Sequence, residues 1–413
     1  MKIRSITYFA EPGYPFDESR LASGGTFMVE ARRAFEDAGF EVQSTRLALP
    51  PLGKTFGRAS SAAAVKYAQD LEAACFVHGF DYASLGVARP TDPPSFYEVI
   101  PDVISATQNI FASAIIASPL DGLSLPAVQL AAQIIHRCAA LPGIVPPGFG
   151  NLRFAALANV ESGVPFLPAA YHDGGAPLFA VATEAADLAV TAFAGAATLA
   201  EARARLVEAV ESAATRITAA AKKITGSRAV RFGGIDFSLA PFPTADKSIG
   251  AALESLGVPM VGASGTLAAA AFVTDALNRA QYQHTGFSGL FMPVLEDSVL
   301  AARSAEGLLT VTDLLLYSTV CGTGLDTVPL AGDTTPAELA ALLLDVGALA
   351  LRLNKPLTAR LMPMPGKQAG GEIAFEFPFF ANGRVMAIER KTRPLGGLLN
   401  GSESFDLARR PRS

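Results

Sequence analysis

Charged and reactive side chains in this chain recur at one kind of position, the end of an apolar run just ahead of Gly, Pro or Ser. Arg46 follows the run 40–45, Arg89 follows 85–88, and Glu161 precedes Ser162-Gly163. Asp236 ends Gly233-Gly234-Ile235, Glu296 and Asp297 end 291–295, and Arg360 stands ahead of Met362-Pro363-Met364-Pro365-Gly366. In a parallel α/β architecture the carboxyl ends of the strands lie on one side, so such groups converge. Any one of them could simply mark where the chain meets water; several together outline a site. Asp236, Glu296 and Asp326 are then the candidate acid–base or metal-binding carboxylates. Arg46 and Arg360 are anion clamps, and Glu161 belongs to the same substrate-binding set.

A thiol is the second candidate. In Ser318-Thr-Val-Cys321-Gly322-Thr-Gly324-Leu-Asp326, a cysteine ends the run 314–320 and is followed by two glycines, which permit tight or left-handed turns. That pattern can set Cys321 at the edge of a pocket as nucleophile or proton donor. Against it, free cysteines are usually inert small hydrophobes, the reading given to Cys75 and Cys138 in helical patterns. His172, in Tyr171-His172-Asp173-Gly174-Gly175, is a loop histidine beside a carboxylate, suited to acid–base work or to a turn. Ser264, Gly265 and Thr266 open a helix whose first N–H groups could hold a carboxylate or phosphate, although the same residues are ordinary caps. Ser23-Gly24-Gly25-Thr26 carries the same ambiguity. Neither string is a dinucleotide or Walker fingerprint. A Mg²⁺ or Ca²⁺ on Asp236, Glu296 and Asp297 has no support from spacing, and the cofactor is unknown.

The elements that must position these groups alternate. Strands are expected at 4–9, 40–47, 82–87, 110–117, 152–160, 178–183, 231–237, 289–295, 325–330 and 358–364. Two short closing strands follow at 372–377 and 385–389, the pair antiparallel. Helices are expected at 26–38 (closed by Gly39), 61–78, 126–138, 199–224, 247–256, 266–281, 308–318 and 335–354. Thr198/Glu201 and Thr335/Glu338 read as capping boxes, with Gly226 ending the long helix. That helix repeats apolar residues at 206, 210, 213, 217, 220 and 224, a narrow seam for its own chain or for a homodimer partner. Strand–helix–strand order implies parallel pairing. The chain is read as one α/β domain over 1–395 with a polar, loosely held tail at 396–413.

Composition removes several classes. Half of the 413 residues are hydrophobic and 17% are charged, which excludes disorder. Lys plus Arg number 33 against 38 acidic residues, without a basic run, so no nucleic-acid footprint is expected. The uncharged stretch 255–274 is broken by Gly257, Pro259, Gly262 and Gly265, so it reads as buried structure and no membrane partner is expected. Three irregularly spaced cysteines without a secretory leader point to the cytoplasm.

The strings Gly-Gly-Ile-Asp-Phe-Ser-Leu-Ala-Pro (233–241), Gly-Phe-Ser-Gly-Leu-Phe-Met-Pro-Val-Leu-Glu-Asp (286–297), Val-Cys-Gly-Thr-Gly-Leu-Asp (320–326) and Ala331-Gly332-Asp333-Thr334 resemble the domain-of-unknown-function family 711, also called uncharacterised protein family 0210. The beginning Arg-Ser-Ile-Thr and the stretch 39–47 extend the likeness over nearly the whole chain. The resemblance implies a pyruvate formate-lyase-like α/β barrel of about ten strands with surrounding helices, its centre receiving the Cys321 loop. Glycyl-radical enzymes carry Arg-Val-x-Gly-aromatic near the C-terminus. The nearest string here, Gly383-Arg384-Val385-Met386, lacks that glycine.

The expected function is therefore a radical-free enzyme acting on a small polar, carboxylate-bearing metabolite. Cys321, Asp236, Glu296, Asp326 and His172 are its catalytic candidates. Arg46, Arg360, Ser264, Gly265, Thr266 and Glu161 would bind the substrate. A ligand-binding or regulatory protein on an enzyme-like fold is the alternative, and a carboxylate-metal hydrolase a third reading.

Overall fold

The structure, a computed structural model, describes residues 1–57, 60–225, 230–388 and 395–407. Its first strands are β1 (Lys2–Phe9), β2 (Thr45–Ala48), β3 (Tyr82–Ala88), β4 (Ile110–Ser118) and β5 (Gly122–Ser124). They are followed by β6 (Phe154–Ala158), β7 (Leu178–Glu184), β8 (Arg231–Asp236), β9 (Gly324–Ala331) and β10 (Leu357–Met364). Among the described residues the main sheet runs β8-β7-β1-β2-β3-β4-β6-β10-β9. The middle strands β1, β2, β3, β4 and β6 are parallel. On one side β7 reverses against β1 and carries β8; on the other β10 reverses against β6 and carries β9. Helical crossovers such as Ser19–Asp37 and Ala63–His78 supply the return that parallel neighbours need. β4, Ile-Phe-Ala-Ser-Ala-Ile-Ile-Ala-Ser, is buried along nearly all its length, as a strand covered on both faces must be.

The fold is thus a mixed α/β architecture with a large central sheet and many helices. Its ladder has two ends, β8 and β9, so no closed barrel of strands is formed among the described residues. The expected strand at 289–295 does not form. Pro293 has no N–H to give a ladder, and the preceding Gly286 turns at φ +62°. The segment makes single contacts instead. His284 bridges Ile235 on β8 and Leu290 bridges Leu239, while Gly322 N–H donates to the Leu290 carbonyl at 2.6 Å. Val294 N–H then reaches the Asp326 carbonyl on β9 at 3.1 Å. A Cβ on Gly322 would lie 2.9 Å from Gly289 Cα, so this close crossing needs glycine.

Other boundaries moved for identifiable reasons. The first helix starts at Ser19 rather than residue 26, and Gly24 and Gly25 lie inside it. They are packing glycines: a Cβ would meet the Tyr8 ring at 2.7 Å and the His78 carbonyl at 2.6 Å, respectively. The strand expected at 40–47 is reduced to β2, with Val42 making one isolated bridge to Ile3. Thr335 and Glu338 form the expected reciprocal capping box. At the long helix Leu199–Thr225, Glu201 N–H donates to Thr198 Oγ1, but the Glu201 carboxylate accepts from Ala197 N–H instead. Leu206, Val210 and Ile217 of its seam are fully buried against the same chain, which removes the seam as an argument for a homodimer. Gly226 lies outside the described residues.

At the C-terminal end, Glu372–Ile373 (β11) and Gly383–Arg384 (β12) form the expected antiparallel pair, shorter than anticipated; residue 389 lies outside the described residues. The described part of the tail is not loose. Ser404–Phe405 (β13) pairs with β5, and Leu399 is buried, its carbonyl accepting from Gln129 Nε2. Among the described residues no helix is long and apolar enough to cross a membrane.

Candidate functional site

β1 brings the half-buried Arg4 and β2 the buried Arg46 toward a cavity of 660 Å³. β9 and β10 bring Asp326 and Arg360 to the same space, and Glu296 enters it from the loop before the helix Ser298–Ala305. Glu296 sits between the arginines: Arg4 Nη2 and Arg360 Nη2 both donate to its carboxylate, the latter at 2.7 Å. Arg360 Nε donates to Asp326 Oδ1 at 2.6 Å. Arg4 Nη1 also reaches Glu184 on β7 at 3.3 Å.

The neighbour of Glu296 explains why that carboxylate stays in place. Asp297 caps its own helix through Val299 N–H (2.9 Å) and Leu300 N–H (3.0 Å). The same carboxylate accepts from Ser248 Oγ, Ile249 N–H and Gly250 N–H at the start of the helix Ile249–Ser255. One side chain therefore satisfies the orphan donors of two helices and locks the loop that presents Glu296.

Four guanidinium groups line the cavity: Arg4 and Arg360 hold Glu296, Arg153 is taken up by the carbonyls of Ile104, Thr107 and Ile110, and Arg46 remains. Its Nε donates to Ser44 Oγ at 3.0 Å and its guanidinium lies 6.0 Å from the Tyr82 ring, but among the described residues it makes no ion pair. Burial and then the positive charge of Arg4 pull it down to about 9, a cation short of counter-charge. Burial would raise Glu296, but Arg4 and Arg360 overcome this and hold it below its ordinary value. Asp326 moves the other way: burial raises it, Arg360 opposes and Glu296 adds to the rise. Neighbouring carboxylates pushed in opposite directions are how a site separates a fixed anion from a proton carrier. Thr323 Oγ1 and Gln43 Oε1, both buried on the cavity wall, have no hydrogen-bond partner among the described residues.

A family model described as Uncharacterised ACR (DUF711) matches residues 1–380. The chain belongs to this family. It is similar to UPF0210 proteins of Pyrobaculum islandicum, 34% identical over 351 residues (80% of this chain, 75% of that one), and Pyrobaculum arsenaticum, 35% over 350 residues (80% and 73%). A UPF0210 protein of Neisseria gonorrhoeae is 27% identical over 366 residues, covering 85% of this chain and 80% of its own. The names state no reaction. Every cavity residue named above falls within the span matched by the DUF711 model.

In this UPF0210 chain the cavity unites four residues singled out from sequence, Arg46, Glu296, Asp326 and Arg360. Cys321 does not line it. The thiol is buried, accepts Gly324 N–H at 3.3 Å, and faces a separate groove with Ser288 and Lys355; the Lys355 ammonium donates to the Cys321 carbonyl. Asp236 is taken up by the turn at 286–288. It accepts from Ser238 Oγ (2.5 Å), Phe287 N–H (2.7 Å) and Ser288 N–H (2.7 Å), while burial pushes it up to about 7. A side chain on Gly286 would run into this carboxylate.

The other candidates lie elsewhere. His172 is buried near Phe9, and burial lowers its pKa. Glu161, Ser264 and Gly265 are exposed. Thr266 is buried at the start of its helix, where its hydroxyl donates to the Ala263 carbonyl. Arg89 pairs with Asp173 at 2.9 Å. Among the described residues no three His, Cys, Asp or Glu side chains gather as a metal site. Arg4 and Thr323 were missed. The available signal for Arg4 was a single arginine within the first strand, standing there between Ile3 and Ile6; Thr323 had only its place between the two glycines of the cysteine string.

Proposed function

We propose that this UPF0210 protein is a radical-free enzyme that binds a carboxylate-bearing metabolite at Arg46 and moves a proton through Asp326. Arg46 carries the reading. A buried guanidinium with no ion pair among the described residues, beside a second cation, gains from an incoming anion both an ion pair and relief from Arg4. Glu296, held by two arginines, serves as the fixed anion that orients Arg360. Asp326, its pKa raised by burial, gives or accepts the proton within hydrogen-bond reach of the bound molecule. We assign the Cys321 turn a positioning part: it ends at Thr323 and leads into the strand that bears Asp326.

We further infer that the sheet curls into a pyruvate formate-lyase-like barrel over 1–395. The common grip of Arg4 and Arg360 on Glu296, and the segment 284–294 touching both end strands, support this. Three unpaired thiols suit a cytoplasmic setting.

A panel of small carboxylates tested by thermal shift decides the binding step. Ligands should raise the midpoint of the wild-type protein and leave Arg46→Gln unmoved; equal shifts in both would overturn the proposal. NMR of a stabilising ligand in D₂O should then show exchange at carbon next to the carboxylate with wild type but not with Asp326→Asn. Stabilisation without exchange or product would instead favour a binding protein.

A further inference from the structure

The cavity that holds Arg46 has walls unlike those of a site for a small polar acid. Tyr82 and Phe111 stand beside Arg46 in an edge contact, ring centroids 5.7 Å apart. Phe166 and Phe291 pack at 4.8 Å on another wall. From the loop joining β11 to β12, Phe377 and Phe379 add a third, 5.2 Å apart. These rings come from five separate stretches of chain, so their meeting at one space is not a by-product of a single apolar segment. The volume points the same way. At 660 Å³ the cavity lies in the range that encloses ligands of drug-like size. An acid of four or five carbons would leave most of that aromatic surface facing trapped water.

Polar residues line the rest of the cavity, Gln43, Ser105, Thr107, Gln108, Asn109 and Arg153 among them, in addition to the charged cluster. Arg46 offers the anchor for a carboxylate. Thr323 Oγ1, only 2% exposed as a residue and without a partner among the described residues, offers one hydrogen bond to a substituent near that head group. Arg4 and Arg360 are engaged by Glu296 and Arg153 by backbone carbonyls, so among the described residues a second carboxylate finds no further unengaged cation beside Arg46. Apolar walls and edge-on rings reward an apolar body, most of all a flat one.

We propose that the cavity selects a monocarboxylate with a ring-sized apolar body, its carboxylate on Arg46 and its body among the phenylalanines. This rests on the anion-anchor reading and specifies what that anchor holds. An aromatic acid and a medium-chain fatty acid share this chemistry, and the rings favour the aromatic one.

Titration calorimetry on the full chain tests it with 3-phenylpropionate, hexanoate, acetate, succinate and neutral 3-phenylpropanol. The expected order places 3-phenylpropionate first, about tenfold or more tighter than acetate or succinate, with hexanoate between them and the alcohol weak. Phe379→Ala, on a half-buried loop position, should shrink the ratio of 3-phenylpropionate to succinate affinity toward one. Phe166→Leu, which keeps the wall filled, should lower the same ratio and gives a second reading if one variant folds poorly. Succinate binding as tightly as 3-phenylpropionate would overturn the aromatic-body proposal while leaving the anchor intact, provided Arg46→Gln abolishes both. An alcohol that binds as tightly as the acid, or an Arg46→Gln protein that binds all the acids normally, would remove the anchor and this proposal with it.

Discussion

Arg4 and Arg360 donate to the same carboxylate, Glu296, although four strands (β2, β3, β4 and β6) separate their own strands in the sheet. Residues so far apart along a flat sheet could not share one side chain at about 4.8 Å per strand. The sheet must therefore bend strongly, and the charged cluster sits where its two halves face each other. Removing the shared anion should be costly. Glu296→Gln leaves two buried guanidinium groups with less counter-charge, and breaking such a network costs about 3–5 kcal/mol. Urea denaturation should show a loss of at least about 3 kcal/mol. A change within about 0.5 kcal/mol, the range for unremarkable surface sites, would mean that the two halves are not tied here.

Asp236 predicts a pH dependence of opposite sense to that of an ion-paired carboxylate. Its folded pKa is raised from 3.8 to about 7 by burial, against three hydrogen bonds that favour the anion. The fold thus binds a proton that the unfolded chain releases between about pH 4 and 7. Its contribution is complete below pH 4 and lost as pH rises through 7. The slope is at most about 1.4 kcal/mol per pH unit. Denaturant melts of wild type and Asp236→Asn over this window isolate it: the variant should be less stable at pH 4 and lack this component of the slope. Parallel curves would show that Asp236 keeps its charge on folding.

Much of the scaffold was legible because the relevant forces are local. The apolar runs of β3, β4 and β10, the Thr335–Glu338 box and the 199–225 helix each carry their signal within a few residues. What escaped depended on partners distant in sequence. Gly24 and Gly25 look like a turn until Tyr8 and His78 are packed against them. Segment 289–295 has strand composition, but its hydrogen bonds go alternately to the surroundings of two different strands. At the site, Arg46, Glu296, Asp326 and Arg360 were visible as charges ending apolar runs. That pattern cannot tell a cavity carboxylate from one serving backbone N–H groups, which is why Asp236 looked the same as Asp326. The two-sided capping by Asp297 was equally hidden, since it joins residues 49 apart in the chain.

The thiol offers a third prediction. Cys75, Cys138 and Cys321 are all buried, and burial pushes the first two up to about 12. Under native conditions iodoacetamide should label none of them at the rate of a small-molecule thiol. Cys321→Ala should retain the carboxylate-induced thermal shift, because Cys321 lines the groove beside Lys355 and not the arginine cavity. Rapid labelling of Cys321 that carboxylates slow, together with loss of the shift in the alanine variant, would return the thiol to the binding cavity.

Arg46 gives the fourth, in which stability and binding move in opposite directions. Its guanidinium is buried beside Arg4 without a carboxylate of its own, so the empty protein bears an uncompensated desolvation cost. Its side chain is buried with the guanidinium 6.0 Å from the Tyr82 ring, and methionine can fill much of that space while shedding the charge. Arg46→Met should therefore raise the stability of the ligand-free protein by about 0.5–2 kcal/mol, the usual gain when a functional liability is removed. The same substitution should abolish stabilisation by carboxylates, which at a hundredfold excess over Kd is worth about 2.7 kcal/mol to the wild type. Thermal and urea unfolding with and without 3-phenylpropionate measure both effects in one series. A variant less stable than wild type without ligand would show that Arg46 already has adequate compensation from Ser44 and Tyr82. The cation would then be part of the scaffold, and the cavity would have lost its reason to attract an anion.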